Sequence, residues 1–217
     1  MTKPYVTVSL LIGLVLSGTL LLAGVARQHW PNNQQGYAPR QPIAYSHRLH
    51  VDELGIDCLY CHSSARESRH AGIPSSDVCM RCHKFVTAGF NVMQAELRAA
   101  DKEQRPPRTI VSPELRKLYD ALALDDQLNP IPGQPPQAIP WVRVHDLPDY
   151  VYFDHRAHVA AGVSCQQCHG AVEAMQTVEQ FSSLSMGWCV NCHRTAAAHG
   201  VAGRPVHPST DCAACHY

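Results

Sequence analysis

Phe153-Asp154-His155-Arg156-Ala157-His158-Val159-Ala160-Ala161-Gly162-Val163-Ser164-Cys165-Gln166-Gln167-Cys168-His169 decides how this chain is read. It opens on a His-x-x-His pair and closes on a Cys-x-x-Cys-His unit. The closing unit recurs as Cys58-Leu59-Tyr60-Cys61-His62, Cys79-Met80-Arg81-Cys82-His83, Cys189-Val190-Asn191-Cys192-His193 and Cys212-Ala213-Ala214-Cys215-His216. All 10 cysteines of the 217-residue chain are thereby used. Cys-x-x-Cys-His is the attachment motif of c-type haem. The two thiols add to the vinyl groups of one porphyrin, and the adjoining histidine supplies an axial nitrogen to iron. A zinc site or a disulfide framework also uses Cys-x-x-Cys. Five units, each followed by His and with no cysteine left over, favour haem over both. The expected cofactor is haem c, five copies, all covalent, with His62, His83, His169, His193 and His216 as proximal ligands.

Composition points the same way. Only 4 Phe and 3 Trp are available for a core, against 16 Pro. Five porphyrins would act as large flat apolar bodies around which loops wrap. The expected fold is therefore a multihaem cytochrome c, with short helices at the attachment motifs, much irregular chain and almost no sheet.

Tyr5 to Ala26 is an uncharged run rich in Leu, Val and Ile. As a helix it would span about 33 Å, enough to cross the hydrocarbon core of a bilayer. A cleaved signal peptide is the rival, although its apolar region usually runs only about 7–15 residues. Gly24-Val25-Ala26 resembles a small-residue cleavage site, so the rival stands. No cysteine follows the run, which excludes a lipoprotein anchor. Because c-type haem is attached outside the cytoplasm, the bulk of the chain is expected on the periplasmic face of a bacterial cytoplasmic membrane, held by a single span.

The opening stretch has a counterpart. Tyr45-Ser46-His47-Arg48-Leu49-His50-Val51 precedes Gly55-Ile56-Asp57-Cys58, in the same order and with one extra residue. Each copy continues to a second attachment motif followed by a basic residue, Lys84 or Arg194. A duplicated two-haem module with a fifth haem appended accounts for this. The expected organisation is an anchor over 1–27, a stalk over 28–42, a two-haem module over 43–90, a spacer over 91–140 and a three-haem module over 141–217. In the spacer, Asn91 to Lys102 has helical composition. Ser112-Pro113-Glu114 reads as an N-cap, a Pro at the first helical position and an acidic first turn, opening a helix to about Ala123. Asn129 to Pro140, with five Pro, is expected to be extended, as a solvated linker or a partner-binding lasso.

A low-spin iron needs a sixth ligand, for which His or Met serves. His47, His50, His155 and His158 recur at matching places before haem motifs and are the expected distal ligands. In each pair one ring would serve its own module's first iron and the other a neighbouring haem. Four nitrogens leave the fifth iron short. His145 is the first candidate and Met186 the second, ahead of His70, His199, His207 and Met93.

These residues also carry a resemblance. The pairing of His-x-x-His with attachment motifs is similar to class III multihaem cytochromes. Val144-His145-Asp146-Leu147-Pro148-Asp149-Tyr150-Val151-Tyr152-Phe153-Asp154-His155, followed by Ser185-Met186-Gly187-Trp188-Cys189, resembles the pentahaem cytochrome subunits of alternative complex III, a bacterial quinol-oxidising assembly. The resemblance implies an iron–sulfur subunit, an integral membrane quinol-binding subunit and a downstream cytochrome c or terminal oxidase as partners. The chain itself has neither iron–sulfur cysteines nor a multi-span region, so other chains would supply them.

Three function classes follow. The first is an electron-conducting subunit of such a complex, with no catalytic site of its own. The second is a single-chain membrane-anchored quinol dehydrogenase. The 31 residues between Ala26 and Cys58 count against it, since its first haem should sit close behind the anchor. The third is a multihaem enzyme of nitrite or hydroxylamine chemistry, which needs an open or unusual axial position; all five motifs end in His instead. The chain carries 18 Lys+Arg and 18 Asp+Glu, and nothing in it calls for a nucleic-acid partner. Two propionates against one ferric core give each oxidised haem a charge of about −1. The loaded protein should therefore sit near −5 oxidised and about −10 reduced. Isoelectric focusing of the haem-loaded protein is expected to give a pI below the sequence value of about 7.2; a pI above 7 would contradict five ionised propionate pairs.

Overall fold

The computed structural model describes residues 4–27 and 34–217. His29 and the first part of the expected stalk lie outside them. Pro4–Arg27 forms α1, opened by a proline at its first position, where a missing N–H costs nothing. Its stretch Pro4–Val25 has a mean hydropathy of 2.3 and none of it is buried against the rest of the chain. The hydroxyls of Ser9, Ser17 and Thr19 donate back to the carbonyls of Tyr5, Leu14 and Leu16. Polar groups satisfied within the helix are what an apolar surround requires. Length and composition suit a membrane span, and suit a signal sequence equally.

The remaining helices are short. After a π-helical turn over Arg48–Glu53 come α2 (Cys58–Cys61), a 3-10 turn (Ser63–Arg66), α3 (Ser76–His83), α4 (Phe90–Lys102) and α5 (Pro113–Ala121). The second half has α6 (His155–Ala161), α7 (Cys165–His169), a 3-10 turn (Val172–Ala174), α8 (Met186–His199) and α9 (Cys212–Cys215). Among the described residues there are isolated bridges, Leu124 to Pro130, Val151 to His216 and Val201 to Arg204, and no strand. The mostly helical and irregular character read from the sequence is present.

The attachment motifs start where helices start. Asp57 and Asp211 stand directly before Cys58 and Cys212, and their carboxylates accept from the backbone N–H of Leu59 (2.7 Å) and Ala213 (3.1 Å). Ser164 stands directly before Cys165, with Gln167 Oε1 accepting from its N–H at 3.1 Å. In α3 and α8 the cap moves back one turn, to Ser75 and Ser185. Asp57, Asp211 and Ser185 supply partners to N–H groups that a helix leaves unmade, whereas the Ser75 side chain makes no such bond.

The extra residue in the first repeat copy has a structural outcome. In the second copy His155–Ala161 is an ordinary α-helix ended by Gly162 in the left-handed region, φ 88°. In the first copy the same segment is a π-helix, in which Leu54 N–H donates to Leu49 O at 3.1 Å, five residues back. A wider turn absorbs one residue without rotating what precedes it.

The spacer is folded against the first module. Tyr119 is fully buried and its hydroxyl donates to His83 O at 2.5 Å. Thr87 Oγ1 donates to Ile110 O at 2.6 Å, and Glu114 accepts from Ala44 N–H at 2.7 Å. Helix α4 begins at Phe90, one residue before expected. Helix α5 stops at Ala121 because Ala123 turns left-handed, φ 53°; Ala123 N–H then reaches Asp120 O and Leu124 N–H reaches Tyr119 O, the Schellman pattern. The Pro-rich stretch is tied back to this end through Ile131 N–H to Ala123 O (2.8 Å) and Gln137 N–H to Ala121 O (2.7 Å).

Residues 34–42 also have partners. Gly36 N–H donates to Gln180 O at 2.8 Å, Gln180 N–H to Tyr37 O at 3.0 Å, and Gln41 exchanges two bonds with the Val142 backbone, each 2.9 Å. This end of the stalk therefore lies along the second module. The polypeptide's own buried apolar set among the described residues is Ala65, Ala88, Ala100, Leu118, Tyr119 and Ala123. A domain of this length ordinarily buries far more large side chains. Side chains alone do not hold these loops together.

Candidate haem-binding sites

A helix that begins at or just before the first Cys puts Cys i, Cys i+3 and His i+4 on one face. Helices α3, α7 and α8 include all three residues, whereas α2 and α9 end at the second Cys with His62 and His216 as C-caps, and none of the ten thiols is in a disulfide. A structural zinc would gather four donors. Among the described residues no three His, Cys, Asp or Glu are so gathered.

The histidines pair across the motifs. His47 and His62 have ring centres 6.5 Å apart with planes at 5°, and His155 and His169 repeat this at 6.4 Å and 6°. His50 lies 6.2 Å from His83 and His158 lies 6.0 Å from His193. Two metal–nitrogen bonds of about 2.0–2.1 Å, each with about 1.1–1.2 Å more to the ring centre, put axial imidazoles about 6.2–6.6 Å apart. Three of the spacings fit a metal held between the rings, and that of His158 and His193, at 6.0 Å, is slightly closer.

The ring nitrogens agree. The Nδ1 atoms of His62, His83 and His193 bond to Gly72 O (2.7 Å), Val86 O (2.8 Å) and Ser209 O (2.5 Å). Those of His50, His155 and His158 bond to Ser46 O (2.9 Å), Arg69 O (2.8 Å) and Asp154 O (2.9 Å). With Nδ1–H donated to a carbonyl, Nε2 carries the lone pair a metal takes. Burial pushes His47 and His169 down to about 4, with neighbouring histidines adding to the shift, so both are neutral at physiological pH. The residues present thus fit haem c: two thiols per site, a proximal imidazole and, at four sites, a distal one.

The aromatic residue of the repeat orients both rings of each pair. Tyr45 lies 4.9 Å edge-on from His47 and 4.4 Å from His50 at 24°. Phe153 lies 4.8 Å edge-on from His155 and 4.7 Å from His158 at 33°. One aromatic wedge thereby sets the two axial directions.

His145 stands elsewhere. Its Nε2 is 3.0 Å from His169 Nδ1, with ring centres 4.3 Å apart and planes at 80°. It touches the back of a proximal ligand, a place different from the distal position expected of it. The reason is tertiary: the 141–146 segment is clamped by Gln41 and by the fully buried Gln180, whose Oε1 accepts from Asp146 N–H at 3.1 Å. Burial pushes the His145 imidazole down, with His155 adding to it. The ring neighbour of His216 is Tyr150, 5.8 Å away at 32°, and the Val151 to His216 bridge holds the two segments together. Met186 is 69 % exposed in the first turn of α8. His70, His199 and His207 are exposed and Met93 is half-buried. Sequence reasoning missed Arg69, whose carbonyl accepts both Nδ1–H and backbone N–H of His155 and whose guanidinium lies 4.7 Å over Tyr152.

The sites adjoin in a definite order. His47 and His50 flank one turn and face the histidines of the first and second motifs; His155 and His158 face those of the third and fourth. Arg69, from the loop after the first motif, braces His155, and the Cys58 and Cys165 thiols are within hydrogen-bonding reach. Burial pushes the Cys168 thiol up to about 11, with nearby Cys192 and Cys189 adding to the shift, and Cys189 in turn feels Cys215. The fourth site meets the fifth where His193 bonds Ser209, three residues before Cys212.

Residues 151–217 match the family model for cytochrome c7 and related cytochrome c. The chain is also similar to the multihaem cytochrome c subunit of menaquinone reductase from Nitratidesulfovibrio vulgaris, 27 % identical over 157 residues that cover 72 % of this chain and 53 % of that protein. It spans about half the length of that relative. Motifs, ring geometry and both matches together support a multihaem c-type cytochrome with covalently attached haem.

His158→Ala should open one iron and leave the others as they are. The expected result is one high-spin component in the oxidised electron paramagnetic resonance spectrum, with covalent haem content unchanged; a wholly low-spin spectrum would remove His158 from the ligand set.

Proposed function

We propose that this chain is the electron-conducting subunit of a membrane quinol-oxidising complex, carrying five covalent c-type haems on the periplasmic side of a bacterial cytoplasmic membrane. When bound, each haem supplies a one-electron change at iron. The protein's part is to fix distance, orientation and access.

The observation that carries the reading is the four histidine pairs at or close to metal-spanning separation, joined through shared elements. They support a relay in the order second, first, third, fourth, fifth motif. The π-turn with His47 and His50 joins its first two members. Arg69 joins the first to the third, α6 joins the third to the fourth, and the His193–Ser209 contact leads to the fifth. Six of the proposed axial rings, His50, His62, His83, His155, His158 and His193, are tethered to backbone carbonyls, which limits reorganisation when charge changes. With His145 engaged by His169, Met186 is the proposed distal ligand of the fifth site, since α8 carries it one turn before Cys189, whose neighbour is Cys215. A thioether there would raise that potential above the bis-histidine sites.

The similar N. vulgaris protein is by its name a subunit of a quinone-linked enzyme, which supports a place beside other chains. An integral membrane quinol-binding subunit, an iron–sulfur subunit, and a downstream cytochrome c or terminal oxidase are the proposed partners. Helix α1 is the proposed anchor, offering a fully exposed apolar surface to lipid or to partner helices.

Purification in mild detergent is expected to bring down an integral membrane protein and an iron–sulfur protein in fixed proportion, and quinol should reduce the haems of that assembly. Replacing Cys165 and Cys168 with Ser removes the middle member of the relay. Haems on only one side of the gap should then be reduced rapidly. A lone chain that oxidises quinol unaided, or unimpaired reduction of all remaining haems, would contradict the proposal.

A further inference from the structure

The two repeat copies treat their proximal histidines differently. In the first copy His62 Nδ1 meets a backbone carbonyl, Gly72 O at 2.7 Å; in the second, His169 Nδ1 meets a side chain, His145 Nε2 at 3.0 Å. Every other axial ring for which an Nδ1 partner is given above bonds to a carbonyl. The rest of the two copies corresponds closely: the pair separations are 6.5 and 6.4 Å and the plane angles 5° and 6°. Behind the proximal ring the acceptor differs; behind the distal ring His47 Nδ1 has no partner where His155 Nδ1 meets Arg69 O.

We propose that His145 is a positioning residue that acts through His169, accepting its Nδ1–H and holding the third haem at a lower reduction potential than a carbonyl acceptor would. The proposal rests on the reading that His169 Nε2 ligates iron. A metal-bound neutral imidazole carries its proton on Nδ1, so His169 must be the donor and His145 Nε2 the acceptor. An imidazole nitrogen is a stronger base than an amide oxygen. It draws the shared proton further, leaves more negative charge on His169 and stabilises the ferric state. Partners of metal-bound histidines act in this way, fixing ring orientation and raising ligand basicity.

The placement of His145 is built. Arg143 Nε donates to His145 O at 2.9 Å, and the same guanidinium pairs with Asp146 at 3.2 Å. Asp146 N–H goes to Gln180 Oε1, and Asp146 Oδ2 accepts from Gln34 at 3.0 Å. Residues on either side of His145 are thus held, and Gln180, which is fully buried, is also the clamp for residues 36 and 37. The consequence is a relay in which two repeat-equivalent sites, adjacent to each other, are set at unequal potentials.

The test uses full-length protein in detergent, with His145→Phe, which removes the acceptor, and His145→Gln, which offers an amide oxygen. Potentiometric titration followed spectroscopically should show one haem moving upward in His145→Phe by at least tenfold in its reduction equilibrium, 59 mV for one electron. His145→Gln should move the same haem less than half as far. The Cys165→Ser/Cys168→Ser protein, lacking that haem, identifies which transition it is. Unchanged potentials in His145→Phe with all haems retained would overturn the proposal. Should His145→Phe lose haem, an unchanged transition in His145→Gln overturns it equally. His169→Ala separates this from the underlying reading: if no high-spin iron appears there, the ligation of His169 has failed, not the role of His145.

Discussion

Facing histidine rings at about the separation that two axial imidazoles of one metal would need constrain this molecule more than any other contact. The distance is fixed by bond lengths, so ring centres must stand about 6.2–6.6 Å apart whatever the surrounding loops do. Three histidine pairs, at 6.2–6.5 Å, meet that requirement and a fourth, His158 with His193 at 6.0 Å, falls just short of it, in two copies of one motif. Each pair is drawn from segments far apart in sequence or across a loop, and each therefore staples chain to chain. Such staples would let a polypeptide with Tyr119 as the one fully buried large apolar side chain among the described residues take up a defined arrangement. With haem bound, the staples would stand in for a side-chain core.

The same constraint accounts for local detail. A Tyr or Phe before each pair orients two rings at once, so one residue sets the geometry of two sites. Asp and Ser caps start helices beside the cysteines, which lets three ligating side chains share a face. The π-turn over Arg48–Glu53 keeps His47 and His50 in the same relation as His155 and His158 although the first copy carries an additional residue. Function follows from adjacency: a turn that bears ligands for two sites cannot help placing them side by side.

Much of this is legible in sequence because it is local. Five attachment units, two His-x-x-His pairs, the Ser112 cap and the apolar run of α1 depend on spacing within a few residues. What spacing does not carry is tertiary. His145 was expected across an iron and stands behind His169, since its place depends on Gln41 and Gln180, which meet it only through folding. Helix α5 ends at Ala121, two residues before the approximate end read from composition, because Ala123 takes a left-handed conformation that is usually marked by Gly. The Pro-rich stretch reads as free chain, yet two backbone bonds return it to α5, and backbone bonds leave no trace in residue type. The proposed relay order, second motif before first, is likewise invisible in the order of the chain.

The central claim is that five motifs hold five haems through thioether bonds. Mass spectrometry of the protein after denaturation and acidified-acetone extraction tests it most directly, because thioether-linked haem survives both treatments. A mass equal to the polypeptide plus five haem groups is the predicted result. A mass short of five, or a polypeptide stripped of haem, would contradict the account.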